Sequence, residues 1–233
     1  MQALSSSTLP NPSLAGWEQV RQRITVAALA AGRTSDEITL LAVSKGQPED
    51  AIRAVAAGGQ RAFGENYLQE ALIKMSALAD LNLSWHFIGR LQSNKTRDIA
   101  THFAWCHSVD SLKLAQRLNQ QRPHDLPPLN CCIEVNISGE LSKGGVGTAE
   151  LDSLVTAFKV LPQLRLRGFM CLPAPDPNPL QQRAAFHQVR TLLRRYPALD
   201  TLSMGTSDDY SAAIAEGATI VRVGTAVFGP RSR

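Results

Sequence analysis

The sequence is poor in cysteine and in aromatic residues, and it contains no long uninterrupted run of apolar residues. It has four cysteines among 233 residues, and Phe, Trp and Tyr together make up 6%. Without a run of about 18 apolar residues, a membrane-spanning helix has no support. None of the cysteines has the C-x-x-C spacing of zinc or redox sites, and the histidines are dispersed. We therefore predict buried, reduced thiols and no metal site.

Positive charges exceed negative charges by four, but this excess does not indicate a nucleic-acid-binding protein. The basic residues are scattered and lack interleaved aromatic residues, and a group that includes Arg183 and Arg190 is typical of the solvated face of a helix. The first 14 residues are rich in Ser, Asn and Pro and lack the basic start and apolar segment of a secretory signal. We predict a cytoplasmic protein with no nucleic-acid partner and no membrane partner.

Apolar segments rich in β-branched residues alternate with segments of helical periodicity along most of the sequence. A first helix is predicted over residues 17–31, where Val20, Ile24 and Ala28 share one face. Strands are predicted at residues 38–45, 61–65, 85–89, 103–109, 130–137, 167–172, 201–205 and 219–225. A helix candidate lies between each successive pair, and strands joined by helical crossovers pair in parallel, because a tight hairpin cannot connect parallel neighbours.

Eight strands of this kind predict an α/β fold, a single (β/α)8 TIM barrel of parallel strands preceded by an N-terminal helix. An open doubly wound sheet is the alternative. No G-x-G-x-x-G follows the first strand, which weakens the dinucleotide-binding version of that alternative. We assign residues 15–229 to the barrel domain, residues 1–14 to a flexible N-terminal tail and residues 230–233 to a C-terminal tail.

Lys45 ends the first predicted strand, at the mouth of the barrel, where functional groups of such barrels gather. A partly desolvated amine in this position loses some preference for the ammonium form and can attack an aldehyde as a Schiff-base nucleophile. The alternative is a lysine that closes the strand with its charged end in water.

The loops after strands seven and eight, where such barrels most often bind phosphate, both contain a glycine followed by hydroxyl residues. They are Gly205-Thr-Ser207 and Gly224-Thr225, and ordinary turns use the same residue types. Arg222 lies two residues before Gly224, on the same strand face, so its guanidinium is expected to point into the mouth of the barrel. An ion pair from Arg222 to Glu65 or Glu134 is the alternative.

An aldehyde-accepting amine and a phosphate-binding corner in one barrel together suit one cofactor, pyridoxal 5′-phosphate. A permanently charged arginine at the pyridine nitrogen of that cofactor would disfavour a second proton there. The ring would then be a weak electron sink.

The sequence resembles the pyridoxal phosphate homeostasis proteins, which are similar to the N-terminal barrel of alanine racemase. The matching blocks follow the family's order from about residue 38 to residue 229. They are Leu41-Ala-Val-Ser-Lys45, Phe63-Gly-Glu-Asn-Tyr-Leu-Gln-Glu70, Trp85-His-Phe-Ile-Gly-Arg-Leu-Gln-Ser-Asn-Lys95, His107-Ser-Val-Asp110, Val135-Asn-Ile-Ser138, Leu202-Ser-Met-Gly-Thr-Ser-Asp-Asp-Tyr210 and Ala213-Ile-Ala-Glu-Gly-Ala-Thr-Ile-Val-Arg-Val-Gly-Thr-Ala-Val-Phe-Gly229. Two positions depart from the family pattern: Thr206, where Met is more frequent, and Gly144 after Lys143, where Ser is usual.

The resemblance implies a role for each residue of the cofactor site. Lys45 would form the internal aldimine, Arg222 would face the pyridine nitrogen, and Asn66 would lie beside the ring. The phosphate would be held by Ser207, Gly224 and Thr225, and His86 and Met170 would form the floor or wall of the site.

The resemblance also implies a protein that binds and buffers pyridoxal phosphate, acting in vitamin B6 homeostasis and in amino-acid and keto-acid balance without established catalytic turnover. Apo-enzymes or free amino acids would be its partners, and a monomer is expected. Racemisation needs two acid/base groups, and alanine racemase takes the second from an additional domain, which we do not expect after Gly229. The alternatives are a small racemase of fold type III, with a second base from His86, His107, Tyr67 or a partner subunit, and a protein-binding scaffold.

Overall fold

A computed structural model describes residues 11–137, 144–174 and 176–230. Within these ranges, eight parallel strands form a closed barrel in chain order, which confirms the predicted TIM barrel. The strands are β1 Thr39–Val43, β2 Ala62–Glu65, β3 Ser84–Phe87, β4 Trp105–Val109, β5 Leu129–Glu134, β6 Leu164–Met170, β7 Thr201–Ser203 and β8 Ile220–Val223. The barrel closes where β1 pairs with β8, with Leu41 opposite Arg222.

A helix follows each strand and covers the outside of the barrel, and one further helix precedes β1. The helices are α1 Pro12–Ala30, α2 Glu49–Ala57, α3 Leu68–Ala77, α4 Thr96–His102, α5 Leu112–Gln121, α6 Leu151–Ala157, α7 Pro179–Leu193, α8 Tyr210–Ala215 and α9 Thr225–Phe228. In the described part of the chain, no helix is long and apolar enough to cross a membrane.

The first helix begins earlier than the sequence pattern predicts. The side chain of Asn11 accepts a hydrogen bond from the Ser13 amide at 2.9 Å, and Pro12 occupies the first turn, where its missing N–H costs nothing. Residues 12–14 are therefore helical and do not belong to a flexible tail. Residues 1–10 and 231–233 of the two predicted tails lie outside the described residues.

Side chains alternate between the interior of the barrel and the layer under the helices, as the period of a strand requires. Large apolar residues such as Phe63, Phe87 and Phe169 are completely buried in this core. All four cysteines are buried with free thiols, which confirms the expected burial. The barrel also buries polar side chains, among them His107 and Arg222.

Candidate functional site

A cavity of about 460 Å³ opens at the carboxyl ends of the strands. Seven of the eight predicted site residues line it: Lys45, Asn66, Met170, Ser207, Arg222, Gly224 and Thr225. Because β1 and β8 are neighbours in the closed barrel, the loops after these two strands meet at one side of the cavity. The structure therefore brings together groups that are far apart in the sequence.

Lys45 lies in a turn whose two flanking peptide groups are held by side chains from α3. The carbonyl oxygen of Ser44 accepts a hydrogen bond from Lys74 Nζ at 2.6 Å, and the Gly46 amide donates to Glu70 Oε1 at 2.5 Å. Gly46 has a φ of +69°, which other residue types adopt only with strain. The backbone on both sides of Lys45 is consequently fixed.

The turn rests on a buried ionic cluster that the sequence reasoning did not identify. Lys74 is only 3% exposed and also donates to Glu65 Oε1 at 2.9 Å, and Ser44 Oγ donates to the same oxygen at 2.7 Å. Burial raises the pKa of Glu65, and the hydrogen bonds from Ser44 and Lys74 oppose this shift. One signal was present: Lys74 lies four residues after Glu70 on the buried face of a helix.

Gly224 and the hydroxyl residues Ser207 and Thr225 form one corner of the cavity, and Gly205 lies two residues before Ser207 in the same loop. Gly205 has a φ of +92°, and a Cβ there would lie 2.7 Å from Ala213 Cβ. At Gly224 a Cβ would lie 3.1 Å from the Val43 carbonyl oxygen. The Ser207 and Thr225 side chains line the same corner. Hydroxyl groups, together with backbone N–H groups that a ligand can approach closely at a glycine, are suited to binding a phosphate group.

Arg222 lies at the bottom of the cavity and is 6% exposed. Its Nη1 donates to the Ser203 carbonyl at 2.5 Å and to Ser203 Oγ at 2.9 Å, and its Nη2 donates to the Cys171 carbonyl at 2.9 Å. The alternative ion pair between Arg222 and Glu65 is wrong, because Glu65 pairs with Lys74. Among the described contacts of Arg222, Glu134 is not an ion-pair partner either.

His86 is the one predicted site residue that does not line the cavity. It lies inside the barrel, 3% exposed, where its ring stacks on Trp105 with centroids 5.3 Å apart. Its Nδ1 lies 2.9 Å from His107 Nε2. The expectation that His86 forms the floor or wall of the cofactor site stays a prediction, because a strand position fixes which face a side chain takes but not its depth in the barrel.

The cavity is also lined by charged residues that were not among the predicted site residues: Arg90, Asp110, Glu134 and Asp208. Burial raises the pKa of Asp110 and of Glu134. The neighbouring Asp110 raises the pKa of Glu134 further, whereas Arg222 lowers the pKa of Glu134 and Arg90 lowers the pKa of both groups. Gly144, one of the two departures from the family pattern, lines this cavity as well, whereas Ser138 and Lys143 lie outside the described residues.

Residues 19–232 match the family model described as alanine racemase, N-terminal domain. A pyridoxal phosphate homeostasis protein of Pseudomonas aeruginosa is 59% identical over 214 residues, which cover 91% of this chain and 93% of the relative. The protein of the same name from Escherichia coli K12 is 53% identical over 220 residues, covering 91% and 94%.

Solved structures agree with this placement. The structure of PipY from Synechococcus elongatus with PLP bound is 38% identical, has a TM-score of 0.81, and the match covers 93% of this chain and all of that one. Alanine racemase from Corynebacterium glutamicum shares the fold, with 21% identity, a TM-score of 0.65 and coverage of 93% and 62%. The chain therefore belongs to the pyridoxal phosphate homeostasis protein family, within the group that shares the alanine racemase N-terminal domain.

Proposed function

We propose that the protein binds pyridoxal 5′-phosphate in the cavity at the carboxyl ends of the strands and acts in vitamin B6 homeostasis and amino-acid and keto-acid balance. One observation carries the proposal: the Lys45 amine, the Arg222 guanidinium and the hydroxyl corner of Ser207 and Thr225 line the same cavity. An amine, a ring-nitrogen donor and a phosphate corner are the three groups that this cofactor requires.

The donor set of the cavity fits the cofactor. Ser207, Thr225 and the backbone at Gly224 would hold the phosphate, and Arg222 would donate to the ring nitrogen. Asn66 Oδ1 is buried without a hydrogen-bond partner among the described residues, and it would accept from the ring hydroxyl. Met170 would contact the ring. When bound, the cofactor would supply an aldehyde, and Lys45 Nζ is the amine that would condense with it, with release of one water molecule.

We propose that this site stores and releases the cofactor and does not turn over amino acids. The second bases considered for a racemase, His86, His107 and Tyr67, do not line the described cavity. Arg222 is a permanent donor, and it would oppose protonation of the ring nitrogen. The protein would act as a cytoplasmic monomer and would exchange the cofactor with apo-enzymes or free amino acids.

Adding pyridoxal 5′-phosphate to the purified protein is expected to produce a visible absorption band, because the amine of Lys45 captures the aldehyde. Borohydride reduction followed by peptide mass mapping should place the label on the peptide that contains Lys45. Lys113, an exposed lysine of α5, serves as the internal control and should stay unlabelled. Equal labelling of both lysines, or no band, would contradict the proposed cofactor site.

The loaded protein is expected to exchange the α-hydrogen of amino acids no faster than free pyridoxal 5′-phosphate does. Hydrogen–deuterium exchange in deuterated water, monitored by NMR for a panel of L- and D-amino acids, measures this rate. Rapid exchange of both enantiomers with turnover would support the racemase alternative, and the carboxyl groups of Asp110 and Glu134 would then be the candidates for the second base.

A further inference from the structure

A continuous network of hydrogen bonds crosses the barrel interior below the cavity. Ser84 Oγ lies 3.2 Å from His86 Nε2, and His86 Nδ1 lies 2.9 Å from His107 Nε2. His107 Nδ1 lies 2.8 Å from Ser203 Oγ, which accepts from Arg222 Nη1 at 2.9 Å. We call these five residues the interior network. It connects β3, β4, β7 and β8 and ends at the guanidinium that lines the cavity.

The direction of each hydrogen bond follows from Arg222, since a guanidinium can only donate. Ser203 Oγ accepts from Arg222, and His107 Nδ1 is the other polar atom that the described contacts place against this oxygen. The single hydroxyl proton of Ser203 is therefore directed to His107 Nδ1, because the reverse arrangement would bury it without an acceptor.

The two histidine tautomers follow in turn. With Nδ1 as an acceptor, neutral His107 carries its proton on Nε2 and donates to His86 Nδ1. His86 then carries its proton on Nε2 and donates to Ser84 Oγ. Each histidine is left with one donor and one acceptor, both of which are used.

We propose that His86 and His107 are positioning residues that, as neutral Nε2–H tautomers, hold the Ser203 hydroxyl as an acceptor for Arg222 and so fix the guanidinium at the ring-nitrogen end of the cavity. The inference rests on the proposed function, because that function assigns Arg222 to the cofactor ring. All the described acceptors of Arg222 are uncharged: the carbonyls of Ser203 and Cys171 and the Ser203 hydroxyl. A positive charge without a paired carboxylate depends on well-directed acceptors.

The charges around the network favour neutral histidines. Arg222 on β8 lies on one side, and on the other the Arg167 guanidinium of β6 lies 5.0 Å from the Trp105 ring that stacks on His86. The carboxylates of Glu134 on β5 and Asp209 raise the pKa of Arg222, but neither makes a described hydrogen bond to His86 or His107. Burial lowers the pKa of His86 to about 3, and burial, His86 and Arg222 together lower the pKa of His107 well below its ordinary value.

Nitrogen NMR on the cofactor-free, ¹⁵N-histidine-labelled protein tests the tautomers directly. Both His86 and His107 are expected to show the Nε2–H pattern from pH 8 to pH 5. The single variants His86→Gln and His107→Gln assign the signals. An Nδ1–H pattern at His107, or titration of either buried ring within this range, would overturn the proposal whether or not the protein binds the cofactor.

Two substitutions at His107 test the positioning role. His107→Phe removes the acceptor of the Ser203 proton and is expected to weaken cofactor binding about tenfold and to shift the absorption maximum of the bound cofactor. His107→Asn places an amide oxygen near the former Nδ1 and should restore both values, with the exposed His102→Asn as the control.

If the wild type binds the cofactor and folded His107→Phe has the same affinity and the same spectrum, the positioning role is wrong. If His107→Phe does not fold, His107→Asn must still keep the wild-type spectrum, and a shifted spectrum in that folded variant equally contradicts the role. If the wild type does not bind the cofactor, the proposed function fails, and the NMR result alone decides the network.

Discussion

Replacing Lys74 with methionine is expected to lower the free energy of unfolding by about 3–5 kcal/mol, because the substitution leaves the Glu65 carboxylate buried and unpaired. Lys74 Nζ now contacts Glu65, Glu70 and the Ser44 carbonyl, all within 2.9 Å. Methionine fills a similar volume, so the loss would come from charge and hydrogen bonds and not from a cavity. Chemical denaturation followed by circular dichroism measures it.

The loss in Lys74→Met is also expected to depend on pH. The pKa of Glu65 is already raised above its ordinary value of 4.5, and losing Lys74 raises it further. The loss of stability is therefore complete at pH values above the raised pKa of Glu65 in the folded variant. It declines as the pH falls toward 4.5, because protonation of Glu65 removes the unpaired charge.

Two variants separate this effect from a general change at a lysine. Lys113→Met, on the exposed face of α5, should change stability by no more than about 0.5 kcal/mol. The double variant Glu65→Gln, Lys74→Met removes both buried charges and should recover part of the loss. A Lys74→Met protein as stable as Lys113→Met at neutral pH would show that the cluster does not hold the Lys45 turn.

Replacing Gly89 with alanine is the second change with a large expected effect. An added Cβ would lie 2.0 Å from the Asn66 carbonyl oxygen, and the Gly89 carbonyl is itself held by Ser108 Oγ at 2.6 Å. Because neither backbone can give way cheaply, we expect a loss of about 3 kcal/mol in the free energy of unfolding. The clash moves Asn66, a residue of the cavity, so affinity for pyridoxal 5′-phosphate should fall as well.

Gly147→Ala is the matched control, since a Cβ at this exposed glycine meets nothing within 4 Å. Its stability and its cofactor affinity should stay close to those of the wild type. If Gly89→Ala binds the cofactor as tightly as Gly147→Ala does, the position of Asn66 does not matter for binding.

The fold could be predicted because the strands are short, largely buried runs, each separated from the next by a segment of helical periodicity. Boundaries were less accurate where the signal is local chemistry and not periodicity. The start of α1 depends on Asn11 and Pro12, which lie within a stretch that looks like a polar tail. The helix α9, only four residues long, is too short to show a period.

The cavity residues at the strand ends were predictable, since Lys45 and Arg222 each follow the rule that functional groups lie at the carboxyl ends of barrel strands. The residues that hold Lys45 and Arg222 in place could not be predicted. Lys74 meets Glu65 only because α3 packs against β2, and His86 meets His107 only because β3 and β4 are adjacent. Such pairings depend on tertiary contacts that no single segment of sequence specifies.

The pairing of β1 with β8 has a consequence for synthesis of the protein on the ribosome. The amine of Lys45 emerges early, but Arg222, Gly224 and Thr225 emerge among the last residues of the barrel. A strand pair that spans almost the whole chain has a high entropic cost of closure and is expected to form late in folding. A growing chain would therefore carry the reactive amine without its phosphate corner, and only the finished barrel would take up the cofactor.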